Sequence, residues 1–192
     1  MRERGSADED VDDRVLVLRA QDGDAGAFER LVDRHQGRLF RIVYLMVGDR
    51  QDSEDIVQES LLTAWRKLHL LDDPDAFRSW VSRISSRRAT DVARRRLRRA
   101  TEAQPTEVLE RRGDERPASD PAHATQVNVQ LQALARVLAS LEPGLRSCWA
   151  LREVEGMTYL EVAMTLGITE AAARGRLARA RVRVMQQMEE WR

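Results

Sequence analysis

An all-α protein, with two small helical domains joined by a flexible linker and a helix-turn-helix in the second, is predicted from three observations. Apolar residues recur at three- and four-residue spacing along most of the 192-residue chain. β-Branched alternation is sparse, and no Asn-Gly or Asp-Gly pair sits between apolar runs as a hairpin would need. From Thr101 to Ala124 the helical pattern lapses, and three of the five prolines (Pro105, Pro117, Pro121) occur there among acids, which is the composition of a tether. The expected division is 1–100, 101–124 and 125–192. At 42% hydrophobic residues the chain can bury a core.

After a polar tail, Asp13 to Gln21 gives a short helix that stops near Asp22-Gly23-Asp24. Ala25 to Val47 gives a long one, with Phe28, Leu31, Val32, Leu39, Ile42 and Val43 on its apolar stripe and Gly48-Asp49 closing it. A third helix is expected from Ser53 to about Leu68 behind Asp52 as N-cap, burying Ile56, Ser60, Leu61, Ala64 and Trp65. Its other face carries Asp55, Gln58, Glu59 and Leu62, a leucine set in an acidic and amide rim, which suits a basic protein partner. A scattered surface leucine is the plain alternative. Leu68 to Asp75 reads as a loop, in which Asp73 caps and Pro74 opens the next helix.

That next helix, beginning at Phe77, organises the chain. At about 100° per residue Phe77, Val81, Ile84, Ala89 and Val92 share one arc, and Trp80, Arg83, Arg87, Arg94 and Arg98 share another. Between Arg83 and Arg99 stand eight arginines and one acid, Asp91, an excess that pairing within the helix does not neutralise. A solvated charged face is the alternative, but a tryptophan in line with the arginines points to nucleic acid, because guanidinium groups hold phosphates and aromatic planes stack on unpaired bases. The formal net charge is +0, so the signal lies in segregation. Residues 1–13 carry six acids and two arginines, 101–121 six acids and three arginines, and 174–183 five arginines and no acid. Lys67 is the one lysine beside 31 arginines, a bias that fits genomic composition and carries no mechanism.

Order is expected to return at Gln126, where Val127, Leu131, Leu134, Val137, Leu138 and Leu141 line one helix face. A helix follows from Pro143 to about Glu155, and after Gly156 the residues Thr158 and Glu161 form a capping box that opens a helix to Leu166. Gly167-Ile168 turns the chain, and Thr169 caps a last helix packed through Ala173, Leu177, Ala180, Val184 and Met188. Its other strip, with Ala171, Ala172, Gly175, Ala178 and Arg179, is small and is flanked by Arg174 and Arg176. Such a strip lets the backbone sit deep in a major groove. An alanine-rich helix packed on a partner is the competing reading.

These stretches together resemble an extracytoplasmic-function sigma factor, the compact class of promoter-recognition subunits of bacterial RNA polymerase. DSEDIVQES (Asp52 to Ser60) resembles the polymerase-binding motif, FRSWVSRISSRRATDVARRR the melting and minus-ten segment, and GMTYLEVAMTLGITEAAARGRLARAR the minus-thirty-five module. The resemblance implies a sigma factor that binds core polymerase and directs promoter-specific initiation, including melting. It assigns Asp55, Gln58, Glu59 and Leu62 to the β′ clamp helices, with the β flap as the other polymerase contact. Trp80 and Arg87, with the loop from Leu68 to Asp75, are assigned to capture of an unpaired base, and Arg94, Arg95 and Arg98 to neighbouring phosphates. The family commonly has Asn where Arg87 stands, so the identity of the captured base does not carry over. Arg174, Gly175, Ala178 and Arg179 fall on DNA-reading positions with Arg176 flanking, and Gly175 and Ala178 shift the emphasis to backbone contacts and DNA shape. An anti-sigma factor is an implied partner.

No enzyme is expected. Asp52, Glu54, Asp55 and Glu59 lack a convergent histidine and do not all aim at one ion from one helix. No cofactor or zinc site is expected, since the single Cys148 and His35, His69 and His123 have no zinc spacing. With no disulfide, no apolar run of membrane length and no signal-peptide pattern, a cytoplasmic protein without membrane insertion is expected. The alternative function is a free-standing helix-turn-helix regulator acting without polymerase, a role that needs neither the acidic-apolar face nor Trp80.

Overall fold

A computed structural model describes residues 11–102, 132 and 134–189. The acidic tail, the linker beyond Glu102 and the expected helix start at Gln126 to Leu131 lie outside the described residues. All regular structure among the described residues is helical, as expected. Helix α1 is Asp13–Gln21, α2 Ala25–Val47, α3 Arg50–Lys67 and α4 Phe77–Glu102. The second unit has α5 over 134–139, α6 Pro143–Trp149, α7 Tyr159–Leu166 and α8 Glu170–Glu189.

Side-chain caps set most of these boundaries. Asp24 Oδ1 accepts the N–H of Ala27 at 3.1 Å to open α2. Gly48 closes it in the left-handed region at φ 77°, donating its N–H to Tyr44 O at 2.8 Å. The start of α3 departs from expectation. Asp49, not Asp52, is the N-cap, its Oδ1 accepting from Asp52 N at 2.9 Å, so the helix begins three residues before the expected Ser53. The single residue Gly48 turns the chain sharply enough for its extended neighbour Asp49 to open the next helix at once. Asp73 accepts from Asp75 N at 3.0 Å over a 3₁₀ turn, Pro74–Ala76, that feeds directly into α4.

In the first unit α2 runs through the middle, packed against α1, α3 and α4. Leu31, Leu39, Ile42, Val43, Leu45 and Met46 are buried there against Leu16 and Val17 of α1 and Phe77 and Val81 of α4. Burial of each such side chain contributes roughly 1.5–3 kcal/mol before the opposing chain entropy. His35 on α2 lies 2.7 Å from Asp13 on α1. Burial works to raise the Asp13 pKa, but hydrogen bonds from Arg34 and His35 outweigh it, and the carboxyl sits below its ordinary value.

The inner face of α4 is wider than its aliphatic arc predicted. Ser82, Ser85, Ser86, Ala89, Thr90 and Ala93 are all buried, while Ile84 and Val92 are half-buried. Small residues let neighbouring helices come close on two sides. Two of their hydroxyls are satisfied within the helix, Ser85 donating to Val81 O at 3.1 Å and Thr90 to Ser86 O at 2.8 Å, while Ser82 donates to Glu155 and Ser86 Oγ finds no partner among the described residues.

In the second unit Thr158 and Glu161 form the expected reciprocal capping box at the start of α7, which ends at Gly167 in the left-handed region, φ 63°. Thr169 caps α8 through Ala172 N at 3.2 Å. Ala173, Leu177, Ala180 and Val184 are buried as predicted, and the Met188 side chain lies outside the described ones. The segment after α6 differs from a plain helix: Ala150–Val154 is a π turn, in which Glu155 N donates to Ala150 O at 3.2 Å. This unit rests on the first one. The α6 helix and its π turn lie against α2, α6 and α7 lie against α4, and the buried apolar residues of both units join in one cluster.

The reassigned cap gives a direct check. Asp49→Ala should destabilise the protein by about 1 kcal/mol in urea unfolding, because an orphan N–H of α3 loses its acceptor. Asp52→Ala, which removes only a partly exposed carboxylate, should cost less than about 1 kcal/mol.

Candidate nucleic-acid interface

The outward face of α3 is as drawn from the sequence: Asp55, Gln58, Glu59 and Leu62 are exposed, with Leu62 at 51%. Its acids have nearby partners that periodicity within one helix does not reveal. Arg88 of α4 pairs with Glu59 and also reaches Thr63 Oγ1 at 3.3 Å. Arg96 pairs with Asp52 and approaches Asp49 at 3.8 Å. Two of the α4 arginines therefore fold back across α3 and do not join the basic face. Asp55 accepts from Gln51 at 3.4 Å.

Along the predicted basic face, Trp80 is half-buried, packed on the core with its ring centroid 6.2 Å from that of Phe77 and tilted by 41°. Arg83 is half-buried and donates to Ser79 O at 3.4 Å. Arg95 and Arg98 are exposed. Arg87 and Arg94 are turned toward the second unit, where Arg94 Nη2 donates to Leu166 O at 2.8 Å and Arg87 Nη2 to Met164 O at 3.4 Å.

On the helix-turn-helix, Arg174, Ala178 and Arg179 are exposed and Gly175 is partly so. Arg174 pairs with Glu170 and stands 5.2 Å over the Tyr159 ring, which also carries the guanidinium of Arg152 at 5.1 Å. Arg176 behaves differently from its neighbours. It is half-buried against α6, with Nη1 3.1 Å from where a Cβ on Gly144 would lie, and helps line a small cleft with Thr90, Ala93 and Arg94. A side chain at 144 would crowd this guanidinium, which would have to shift by a few tenths of an ångström.

Comparison with known proteins decides the family. Residues 31–100 match Sigma-70 region 2, and residues 131–184 match Sigma-70, region 4. The ECF RNA polymerase sigma-E factor of Salmonella typhimurium is 33% identical over 179 residues, 90% of this chain and 92% of that protein. This chain belongs to the extracytoplasmic-function sigma factors. The ECF sigma factor SigE of Mycolicibacterium smegmatis is 32% identical over 160 residues, of which the match takes in 81% of this chain and 59% of the relative. Among solved structures, CnrH in complex with the cytosolic domain of CnrY aligns at a TM-score of 0.63 and 27% identity, covering 93% of this chain and 97% of that one. The fold and the family reading of the sequence both hold: this is an RNA polymerase-binding, DNA-binding sigma factor that directs transcription initiation. As a class, sigma factors are regulatory proteins.

Sequence periodicity missed a polar cluster between the two sigma regions. Glu155, its side chain 2% exposed, pairs with Arg38 of α2, whose side chain is 17% exposed, and accepts the Ser82 hydroxyl of α4 at 2.8 Å. Burial lowers the Arg38 pKa to about 10, aided by repulsion from Arg78 and Arg41, so the guanidinium still carries its charge at neutral pH. Each residue has an ordinary sequence role, as a helix-surface arginine, a small helix serine and a helix-end glutamate. Only the tertiary arrangement joins them.

Among the described residues no group of His, Cys, Asp and Glu could hold a metal ion, and no helix is long and apolar enough to cross a membrane. Burial pushes the Cys148 thiol up to about 11, against the pull of Arg176 and Arg179. In the folded sigma factor Ellman's reagent at pH 8 should therefore titrate no thiol over minutes, and one after urea unfolding. Rapid reaction in the native state would mean that the Cys148 side of α6 opens freely.

Proposed function

We propose that the acidic-apolar face of α3 docks on the β′ clamp helices of RNA polymerase, that α4 takes the minus-ten strand, and that α8 reads the minus-thirty-five element beside the β flap. The expected division into 1–100, 101–124 and 125–192 then separates polymerase docking and melting, a tether, and duplex reading. The observation that carries this reading is the pairing, on one unit, of an exposed Leu62 within an acidic rim and a basic helix bearing Trp80. An operator-binding regulator would use neither. On α8, exposed Arg174 and Arg179 flank small residues that keep side chains out of the way of close backbone approach to the groove. A cytoplasmic, non-catalytic protein fits the family and the chemistry of these faces. The relative CnrH is seen in complex with the cytosolic domain of CnrY, and a protein partner, an anti-sigma factor, is proposed for this chain as well.

Leu62→Ala combined with Glu59→Arg should weaken capture of core polymerase by at least tenfold while leaving helical content unchanged, as read by a pull-down titration and circular dichroism. Undiminished capture would remove α3 from the docking surface.

Trp80 is expected to act at melting. Duplex phosphates need only the arginines, whereas stacking, worth about 1–3 kcal/mol per base, becomes available once a base has left the helix. Trp80→Ala should thus retain closed-complex binding and lose open complex by roughly 5- to 150-fold, the equivalent of that energy. Permanganate footprinting set against mobility shift under non-melting conditions separates the steps. An equal loss in both would make Trp80 a packing residue on Phe77.

A further inference from the structure

Two arginines assigned above to the minus-ten strand already have ligands, and both ligands belong to the second unit. Arg94 and Arg87 donate to Leu166 O and Met164 O, carbonyls of the last turn of α7. The last four carbonyls of a helix lack N–H partners of their own helix and form the negative end of its dipole. The Gly167 turn uses one of this set, Ala163 O, which accepts from Ile168 N at 3.0 Å. Guanidinium groups placed to hold phosphate oxygens thus hold peptide oxygens instead.

The second unit sits on the first through a shared apolar cluster, and the one buried polar cluster within that contact fixes where it sits. Glu155 is fixed between Arg38 on α2 and Ser82 on α4, so one carboxylate from the second unit is tied to two helices of the first. Its geometry is incomplete: Glu155 Oε2 and Arg38 Nη1 find no hydrogen-bond partner among the described residues. A buried ion pair with unmet atoms recovers little beyond its desolvation cost, because both charges regain water when the units part. Removing one charge alone is different, since the other then stays buried without a partner. The apolar contact supplies the attraction between the units, and the ion pair specifies the one arrangement in which both buried charges are matched.

We propose that this closed arrangement is self-inhibitory: latched by Glu155 between Arg38 and Ser82, the second unit lays the C-terminal carbonyls of α7 on Arg87 and Arg94, and it must lift away before α4 can take single-stranded DNA. The inference rests on the assignment of α4 to the minus-ten strand. Charge on α4 alone then does not set DNA affinity in the free sigma factor. The open fraction sets it, because the apparent dissociation constant is the intrinsic one divided by the fraction of competent molecules.

The test uses the full chain without polymerase, with small-angle scattering for compactness and fluorescence anisotropy on a short, labelled, mixed-sequence single-stranded DNA. Glu155→Ala and Arg38→Glu should each expand the molecule and tighten DNA binding by about tenfold, the gain expected if roughly a tenth of the wild-type molecules are open. The charge-swapped pair, Arg38→Glu with Glu155→Arg, should restore both compactness and weak binding, which simple destabilisation would not do. If a single variant loses helicity, the swap alone decides: folded, compact and weakly binding supports the latch, and folded but expanded overturns it. Single variants as compact as wild type also overturn it. Expansion with unchanged affinity overturns the gating, and Arg94→Ala in the expanded background then shows which premise failed. A further loss of affinity means that α4 binds DNA but closure does not block it, whereas no change means that α4 is not the DNA surface.

Discussion

A helix with eight arginines in seventeen positions has to keep its charged circumference out of any apolar core, and the way α4 meets that constraint shapes the whole molecule. Its uncharged side is built from Phe77, Val81 and a run of serine, alanine and threonine. Because those side chains are small, helices pack on it from two directions, α2 and α3 of its own unit and α6 and α7 of the other. Most of the remaining circumference from Arg83 to Arg99 is guanidinium, with Asp91 the one acid among it. Each of these cations must then have water, a carboxylate or a carbonyl beside it, since an unpartnered buried charge costs several kcal/mol.

The three fates divide along the helix. Arg88 and Arg96 take carboxylates of α3, Arg87 and Arg94 take carbonyls of α7, and Arg95, Arg98 and Arg99 stay in solvent. Region 2 and region 4 of the sigma factor thus meet through α4 as well as α2. A π turn also stands directly before Glu155, the inward-facing carboxylate of the other unit. π Turns are found disproportionately at functional sites.

Local chemistry was legible in the sequence wherever one residue did one job. Thr158 with Glu161 opened α7, and most of the apolar arcs of α2, α3 and α8 are buried, with Phe28, Val32 and Trp65 half-buried. Misreading came where adjacent residues did two jobs, as at Gly48-Asp49, which ends one helix and caps the next. The inward turn of Arg176 was hidden because it brings the guanidinium against Gly144 on another helix. Arg38, Ser82 and Glu155 were illegible for a different reason: they are far apart in sequence, and nothing in the period of any one helix marks a contact with another. The family resemblance supplied roles, but the pairing of roles in space came only from packing.

The ion pairs across α3 and α4 change what it means for the acidic face to meet a basic partner. Glu59 and Asp52 are not naked carboxylates awaiting a cation, because Arg88 and Arg96 already sit on them. A positive surface docking there, as proposed, would meet Asp55 directly but would exchange with Arg88 and Arg96 at Glu59 and Asp52. Fewer small ions are then released than the number of acids would suggest, and the displaced arginines return to the α4 side of the molecule. Under the proposed placement of polymerase on α3 and the strand on α4, such an exchange would add the positive charge of Arg88 and Arg96 to the side of α4 that faces the strand.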